Sequence, residues 1–297
     1  MKRLASLIIL VGILTALFIE VMMNLPTKEL KGILIDLEFG QPDPARHRAL
    51  REALTERLGA PCDGVKCISL RYVHFSHILE RDIAPQEVDF ILLSPQGVPW
   101  HVYEREFQTE TNRCKQLLTR AIMDYHIPAL GICGGHQFLA LAFGGTVGFI
   151  DERLEQQKPD RYPKQGLAEK GEVALQTLAE DPLWQGIVAH PGAFFVMENH
   201  FEEVKTLPPA FRNLARSSLS EIQVLKLPSR LVYGFAFHPE RGWDSALKEP
   251  TGESPGKKLL RNFFSMALDE KEKRRKNPPS YSHDLTPRKN GESAWMK

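Results

Sequence analysis

Cys133 lies in the segment Gly131-Ile132-Cys133-Gly134-Gly135-His136-Gln137, and His238 and Glu240 lie in Phe237-His238-Pro239-Glu240, far along the chain. A thiol, an imidazole and a carboxylate are the parts of a nucleophile, its proton-transfer partner and the group that orients that partner. A thiolate attacks a carbonyl carbon but cannot expel an amide nitrogen unaided. The nitrogen needs a proton, and histidine, which titrates near neutrality, is the usual donor.

The neighbouring residues give these groups a setting. Ile127-Pro128-Ala129-Leu130-Gly131-Ile132 is a short apolar run that predicts a buried strand, and Gln137-Phe138-Leu139-Ala140-Leu141-Ala142-Phe143 predicts an apolar helix stopped by Gly144-Gly145. Cys133 then falls at a strand-to-helix turn, where first-turn amides and the helix dipole favour the thiolate. The Gly134 amide is placed to hold a developing oxyanion. Leu231 to Phe237 predicts a second apolar strand, with His238 at its end and Glu240 close enough to take the other imidazole N–H. A cysteine or a His-Pro-Glu by itself is most often packing. Their joint occurrence, each in the right local setting, points to catalysis.

These residues resemble the class I glutamine amidotransferases, a family with a Cys-His-Glu triad in a Gly-x-Cys-x-Gly-x-Gln elbow and a Tyr-Gly-x-Gln-Phe-His-Pro-Glu strand end. The counterparts are Gly131 to Gln137 and Tyr233-Gly234-Phe235-Ala236-Phe237-His238-Pro239-Glu240, and order and spacing are similar from about Ile33 to Leu268. Two further segments are similar. Asp89-Phe90-Ile91-Leu92-Leu93-Ser94-Pro95-Gln96-Gly97 matches the strand and loop that give the family a second oxyanion amide, which the resemblance puts at Gln96 or Gly97. Glu198-Asn199-His200-Phe201-Glu202-Glu203-Val204 matches a Ser-His-x-Asp-x-Val stretch near the bound glutamine, with Glu202 at the acidic position. The resemblance implies that Gln137 and His200 line the donor pocket and that no metal or organic cofactor is required. Ala236 stands where the family commonly has Gln, and Pro95-Gln96 where it has glycines. These departures bear on which acyl donor is used and on coupling to a synthase.

The elements that must position the triad follow a doubly wound order. Gly32 to Asp36 predicts a first buried strand, and Asp43-Pro44 a helix start, with Leu50, Leu54 and Leu58 at helical spacing and Gly59 as the stop. Cys67 to Val73 and Val88 to Ser94 predict further strands, and Glu104 to Tyr125 one long amphipathic helix. Strands alternating with helices imply an α/β fold, a doubly wound, mostly parallel sheet with helices on both faces and its ligand site at the carboxyl ends of the strands. From Thr146 to Phe237 short alternating runs, such as Glu172 to Gln176 and Ile222 to Lys226, predict antiparallel strands added to that sheet. Gly256 to Leu268 predicts a closing helix. The expected catalytic domain is 32–268, followed by a charged, disordered tail at 269–297 in which Trp295 is a candidate peptide anchor.

Composition narrows the classes. The chain has 297 residues, 42% of them hydrophobic, and a net charge of +1, so it can bury a core and has no basic excess for nucleic acid. Gly252 to Lys258 has the flavour of a phosphate loop, but its spacing is wrong and no hydroxyl follows the lysines. Cys62, Cys67 and Cys114 match no redox or zinc spacing and are expected to be free thiols. His74, His77 and His190 are expected to pack or face solvent, and His136 has no fixed identity in the family the chain resembles.

At the start, Lys2-Arg3 precede an apolar run through residues 4–23, interrupted at Glu20. About 20 such residues can span a bilayer, and no Ala-x-Ala follows, so residues 1–24 are expected to be a retained anchor rather than a cleaved signal. Lys28 and Lys31 after the run leave the face of the catalytic domain undecided. Translation from Met22 or Met23 would give a cytoplasmic enzyme without it.

The expected activity is release of ammonia from the glutamine side-chain amide through a γ-glutamyl thioester on Cys133, and the expected partner is a separate synthase subunit. Two other readings stay open: a stand-alone γ-glutamyl hydrolase acting on γ-glutamyl peptides or amines, and a non-catalytic, membrane-tethered regulatory protein.

Overall fold

The computed structural model describes residues 29–58, 68–241 and 254–277. In β1 (Leu30–Asp36) every residue except Lys31 is buried, which is the pattern of a strand covered on both faces. Its side chains alternate between two cores. Ile33 and Ile35 enter one; Leu30 and Leu34 enter the other. β3 (Phe90–Leu93) divides the same way, with Ile91 and Leu93 on the first side and Phe90 and Leu92 on the second.

β1, β2 (Ile68–His74), β3, β4 (Ala129–Ile132) and β11 (Val232–Phe235) pair in parallel. β10 (Val224–Leu227), β9 (Arg212–Arg216), β6 (Glu169–Thr177) and β7 (Ala193–His200) extend that sheet antiparallel beyond β11. The nine strands run β2-β1-β3-β4-β11-β10-β9-β6-β7. β5 (Thr146–Phe149) and β8 (Glu202–Thr206) stand apart as a two-stranded antiparallel sheet, so not every alternating run joined the main one.

Helices cover both faces, as expected. α1 (Pro44–Leu58) begins where Asp43 Oδ1 accepts the Ala45 N–H at 2.8 Å, ahead of a proline that needs no partner. The expected helix from Glu104 to Tyr125 is two helices, α2 (Trp100–Glu106) and α3 (Gln108–Met123), separated at Phe107 by a non-helical residue with φ −133° and ψ 35°. The break lets the Phe107 ring meet Phe39 and Phe75 edge-on, at centroid distances of 5.2 and 5.7 Å. Helical periodicity cannot foresee such a turn. α3 and α4 (Gly134–Ala142) share the first core through Cys114, Leu118, Ala121, Phe138 and Leu139.

The last helix, α6 (Pro255–Lys276), follows the short α5 (Glu152–Gln157) in helix order and seals the second core with Leu259, Leu260, Phe263, Phe264 and Ala267. It passes Leu268, where the tail was expected to begin. Its last turns lack apolar residues and are held by charge instead: Lys271 Nζ donates to Asp89 Oδ2 at 2.8 Å and Arg274 Nη2 to the Asp89 carbonyl at 2.8 Å. The expected anchor at 1–24, Cys62, Cys67, Gly59, the Gly252 and Glu253 end of the loop before α6, and residues 278–297 with Trp295 lie outside the described residues. Among the described residues no helix is long and apolar enough to cross a membrane.

Candidate active site

Cys133 sits between β4 and α4 with φ 50° and ψ −104°, a backbone conformation that a side-chain-bearing residue adopts only where its surroundings impose it. Two bonds impose it: the Cys133 N–H donates to the Phe235 carbonyl of β11 at 2.7 Å, and the Cys133 carbonyl accepts the Gln137 N–H at 3.2 Å as the first bond of α4. The result is a sharp elbow with the thiol at the strand ends. Close approach explains its glycines: a Cβ on Gly135 would come within 2.4 Å of the Leu93 carbonyl oxygen, and one on Gly134 within 2.3 Å of Gln96 Cγ.

β11 lies beside β4 and delivers His238 to the same end. The His238 N–H donates to the Met197 carbonyl of β7 at 2.8 Å, which ties the segment down. His238 Nδ1 and Glu240 Oε1 are 2.7 Å apart, both residues buried. Nδ1 being taken, Nε2 is the nitrogen left for Cys133, whose side chain is near enough to act on the imidazole through charge. Burial alone would lower the His238 pKa; Glu240 and Cys133 outweigh it and push it up to about 10. A cysteine nucleophile reacts as its thiolate, and an imidazolium is the partner that favours that form.

The two amides proposed for the second oxyanion donor differ in placement. The Gln96 nitrogen lies 2.7 Å from where a Gly134 Cβ would be, whereas a Gly97 Cβ would point at Glu38 Oε1, 2.9 Å away. The Gln96 backbone therefore runs against the elbow.

Gln137 and His200 both lie near Cys133, with protein groups close to their polar atoms. Gln137 Nε2 donates to the Glu202 carbonyl at 2.6 Å, and its Oε1 accepts from Trp100 Nε1 at 2.7 Å and Gln96 Nε2 at 3.3 Å. His200 Nδ1 is 2.9 Å from the Glu202 carbonyl, and Nε2 is 3.1 Å from Glu169 Oε2 and 3.2 Å from Glu198 Oε2. Burial would lower its pKa, but Glu198 and Glu169 raise it well above the ordinary value. Glu169, Glu198 and His200 bring ligand atoms within 4.8 Å of one another, a donor set that a cation could use. The His200 imidazolium supplies positive charge between the two carboxylates.

Glu198 had no assigned role in the sequence, yet a signal was present: in β7 the buried residues alternate, and Glu198 shares the inward row with Phe194, Val196 and His200. Tyr162 had none. Its hydroxyl donates to Glu202 Oε2 at 2.7 Å and accepts from Gln96 Nε2 at 2.8 Å. Burial pushes Glu202 up to about 7, against hydrogen bonds from Tyr162 and Trp100 that favour the carboxylate. Beside this network, Gly97, Val98, Arg105 and Tyr162 help line an open cleft of about 670 Å³. A larger cavity of about 940 Å³, lined by residues 180–182 and 184–190, includes none of these groups.

His136, His74 and Cys114 sit in packed or hydrogen-bonded positions. His136 packs on Gly234, and burial pushes its pKa down to about 3, leaving a neutral ring. His74 is held by Ser76 Oγ at 2.7 Å and the Glu38 carbonyl at 2.8 Å. Cys114 is a free thiol inside the first core, pushed up to about 12 by burial.

A doubly wound α/β sheet that joins a cysteine elbow to a histidine–carboxylate pair at its strand ends defines a class of nucleophilic α/β proteins. Comparison narrows the class: the family described as Glutamine amidotransferase class-I matches residues 63–263. The chain is 32% identical over 199 residues to a subunit of the glutamine-hydrolyzing GMP synthase of Pyrococcus abyssi, covering 67% of this chain and 89% of that one. It is 37% identical over 131 residues to the corresponding GMP synthase subunit of Thermococcus kodakarensis, covering 44% of this chain and 60% of that one. In fold it is similar to a glutamine amidotransferase crystal structure from Thermotoga maritima, with a TM-score of 0.53, 21% identity, and coverage of 81% of this chain and 99% of that one. The chain belongs to the class I glutamine amidotransferase family.

Proposed function

We propose that this chain hydrolyses the side-chain amide of glutamine and hands the ammonia to a separate synthase subunit. The carrying observation is the buried array of Cys133, His238 and Glu240, with His238 Nδ1 on Glu240 at 2.7 Å and Nε2 left for the thiol. Cys133 Sγ bonds to the amide carbon, and the carbonyl oxygen takes the negative charge between the Gly134 and Gln96 amides. The C–N bond then breaks as His238 gives its Nε2 proton to the nitrogen. Ammonia leaves and a γ-glutamyl thioester remains. Neutral His238 next takes a proton from water, whose oxygen displaces sulfur to give glutamate and restore the thiolate–imidazolium pair.

The synthase partner is inferred from the relatives, each of which is named as one subunit of a GMP synthase. Gln137 and His200 would act at the edge of the donor pocket, by holding the Glu202 segment beside the thiol. Residues 4–23 would anchor the chain to a membrane.

Assay of the full chain for ammonia and glutamate, with glutamine and separately with a γ-glutamyl amine, tests the reading. Equimolar release from glutamine supports it. Turnover of the γ-glutamyl amine alone would replace it with a stand-alone γ-glutamyl hydrolase, a change that Pro95 and Gln96 in the oxyanion loop would accommodate. Silence with both, even with a synthase added, would leave the non-catalytic reading.

A further inference from the structure

The Pro95–Gln96 peptide is gripped from behind. Arg46 Nη2 donates to the Pro95 carbonyl at 2.9 Å, and Ser94 Oγ lies 2.7 Å from the same oxygen. In a trans peptide the C=O and the following N–H point in opposite directions. Fixing the Pro95 carbonyl toward Arg46 therefore turns the Gln96 N–H away from Arg46, and the Gln96 nitrogen itself lies beside Gly134 of the elbow. The geometry points to Arg46 as a positioning residue that locks the second oxyanion amide in its productive orientation before any substrate arrives.

Arg46 is itself braced. Its Nη1 is 2.7 Å from Glu38 Oε2 and its Nε 3.4 Å from Asp36 Oδ1, so two carboxylates at the end of β1 hold the guanidinium while its third arm holds the loop. Asp36 is fixed in turn by the Tyr72 hydroxyl. Ser94 Oγ has one proton and two acceptors in reach, Pro95 O and Asp36 Oδ1 at 3.0 Å, while it accepts the Leu37 N–H at 2.9 Å; Arg46 is thus the donor that can hold the Pro95 carbonyl without competition for its proton. A loop of glycines at these positions could rotate the peptide freely. Pro95 fixes its own φ, and Arg46 blocks the remaining rotation at the carbonyl. Preorganised amides are what make an oxyanion site effective, because no reorganisation is then needed as charge develops.

The inference rests on Cys133 as nucleophile but not on glutamine as donor, and the test keeps the two apart. p-Nitrophenyl acetate acylates a thiolate through a tetrahedral oxyanion, with p-nitrophenolate leaving. Iodoacetamide alkylates it by displacing iodide, with no oxyanion formed. Both rates are read at the Cys133 peptide by mass spectrometry in the full chain and in Arg46→Met, Arg46→Gln and Arg46→Lys. Arg46→Met and Arg46→Gln should slow acylation by about tenfold or more while alkylation stays within about threefold, and Arg46→Lys, which keeps one donor, should recover much of the loss. An unchanged ratio of the two rates, or a parallel fall in both with the fold intact, would overturn the inference. If Arg46→Met does not fold, Arg46→Gln, which keeps a polar head of smaller size, decides it. Failure of the parent to turn over glutamine would sink the donor assignment alone, since neither reagent resembles glutamine.

Discussion

His238 suits the proton-transfer role proposed for it because its surroundings reverse what burial would do to it. Its folded pKa, raised to about 10, lies above the ordinary 6.5. The stabilisation from its ion pair with Glu240 is therefore complete below about pH 6.5 and is lost as pH rises through about 10. Glu240→Gln should cost about 3 kcal/mol near pH 6 and much less near pH 10, measured by urea unfolding at both. The same variant should lower kcat by about 100-fold or more, since the imidazole loses the group that orients it. Cys133→Ala should abolish turnover with little change in stability, because the elbow is held by backbone bonds on either side of the side chain; residual turnover above a heat-killed control would remove the thiol from the mechanism. His200→Ala should cost about 3–5 kcal/mol by leaving Glu169 and Glu198 without their shared imidazolium, whereas His200→Lys should recover part of that loss. Equal unfolding midpoints for the two variants would contradict the charge account.

At the scale of elements, β4, β11 and the loop after β3 build the candidate site because parallel pairing brings three chain segments to the carboxyl ends of neighbouring central strands. The cysteine elbow and the histidine strand end were legible in the sequence, since each is a local pattern: an apolar run, then the functional residue, then a change of periodicity. The approach of the Gln96 backbone to Gly134 was not, because it is a contact through space between distant segments. Arg46 was invisible for the same reason, being 49 residues from the carbonyl it holds. The helix break at Phe107 and the extension of α6 past Leu268 were missed because a ring contact and ion pairs, not apolar spacing, decide them. That extension gives Asp89 a testable role. Asp89 Oδ2 accepts from both the Lys31 N–H and Lys271 Nζ at 2.8 Å, so Asp89→Ala should destabilise by about 1–2 kcal/mol and raise amide hydrogen exchange in 269–276. Unchanged exchange there would mean that the apolar face of α6 alone holds its end.

For the molecule as a whole, the parallel half bears Cys133, and the antiparallel extension and the separate β5–β8 sheet supply residues beside it. β7 contributes Glu198 and His200 and anchors His238, while β8 brings Glu202 beside Gln137. The α/β class and its parallel core followed from strand–helix alternation, but the detached β5–β8 pair did not, since local alternation does not say which sheet a strand joins. An open cleft lies beside Gly97 and Tyr162. Rapid acid quench of the full chain during turnover, followed by mass spectrometry of its peptides, tests the central claim. One glutamyl group should appear on the Cys133 peptide during turnover of glutamine, with neither adduct nor turnover in Cys133→Ala. Glutamine hydrolysis with the glutamyl group on another residue, or hydrolysis that survives in Cys133→Ala, would contradict it.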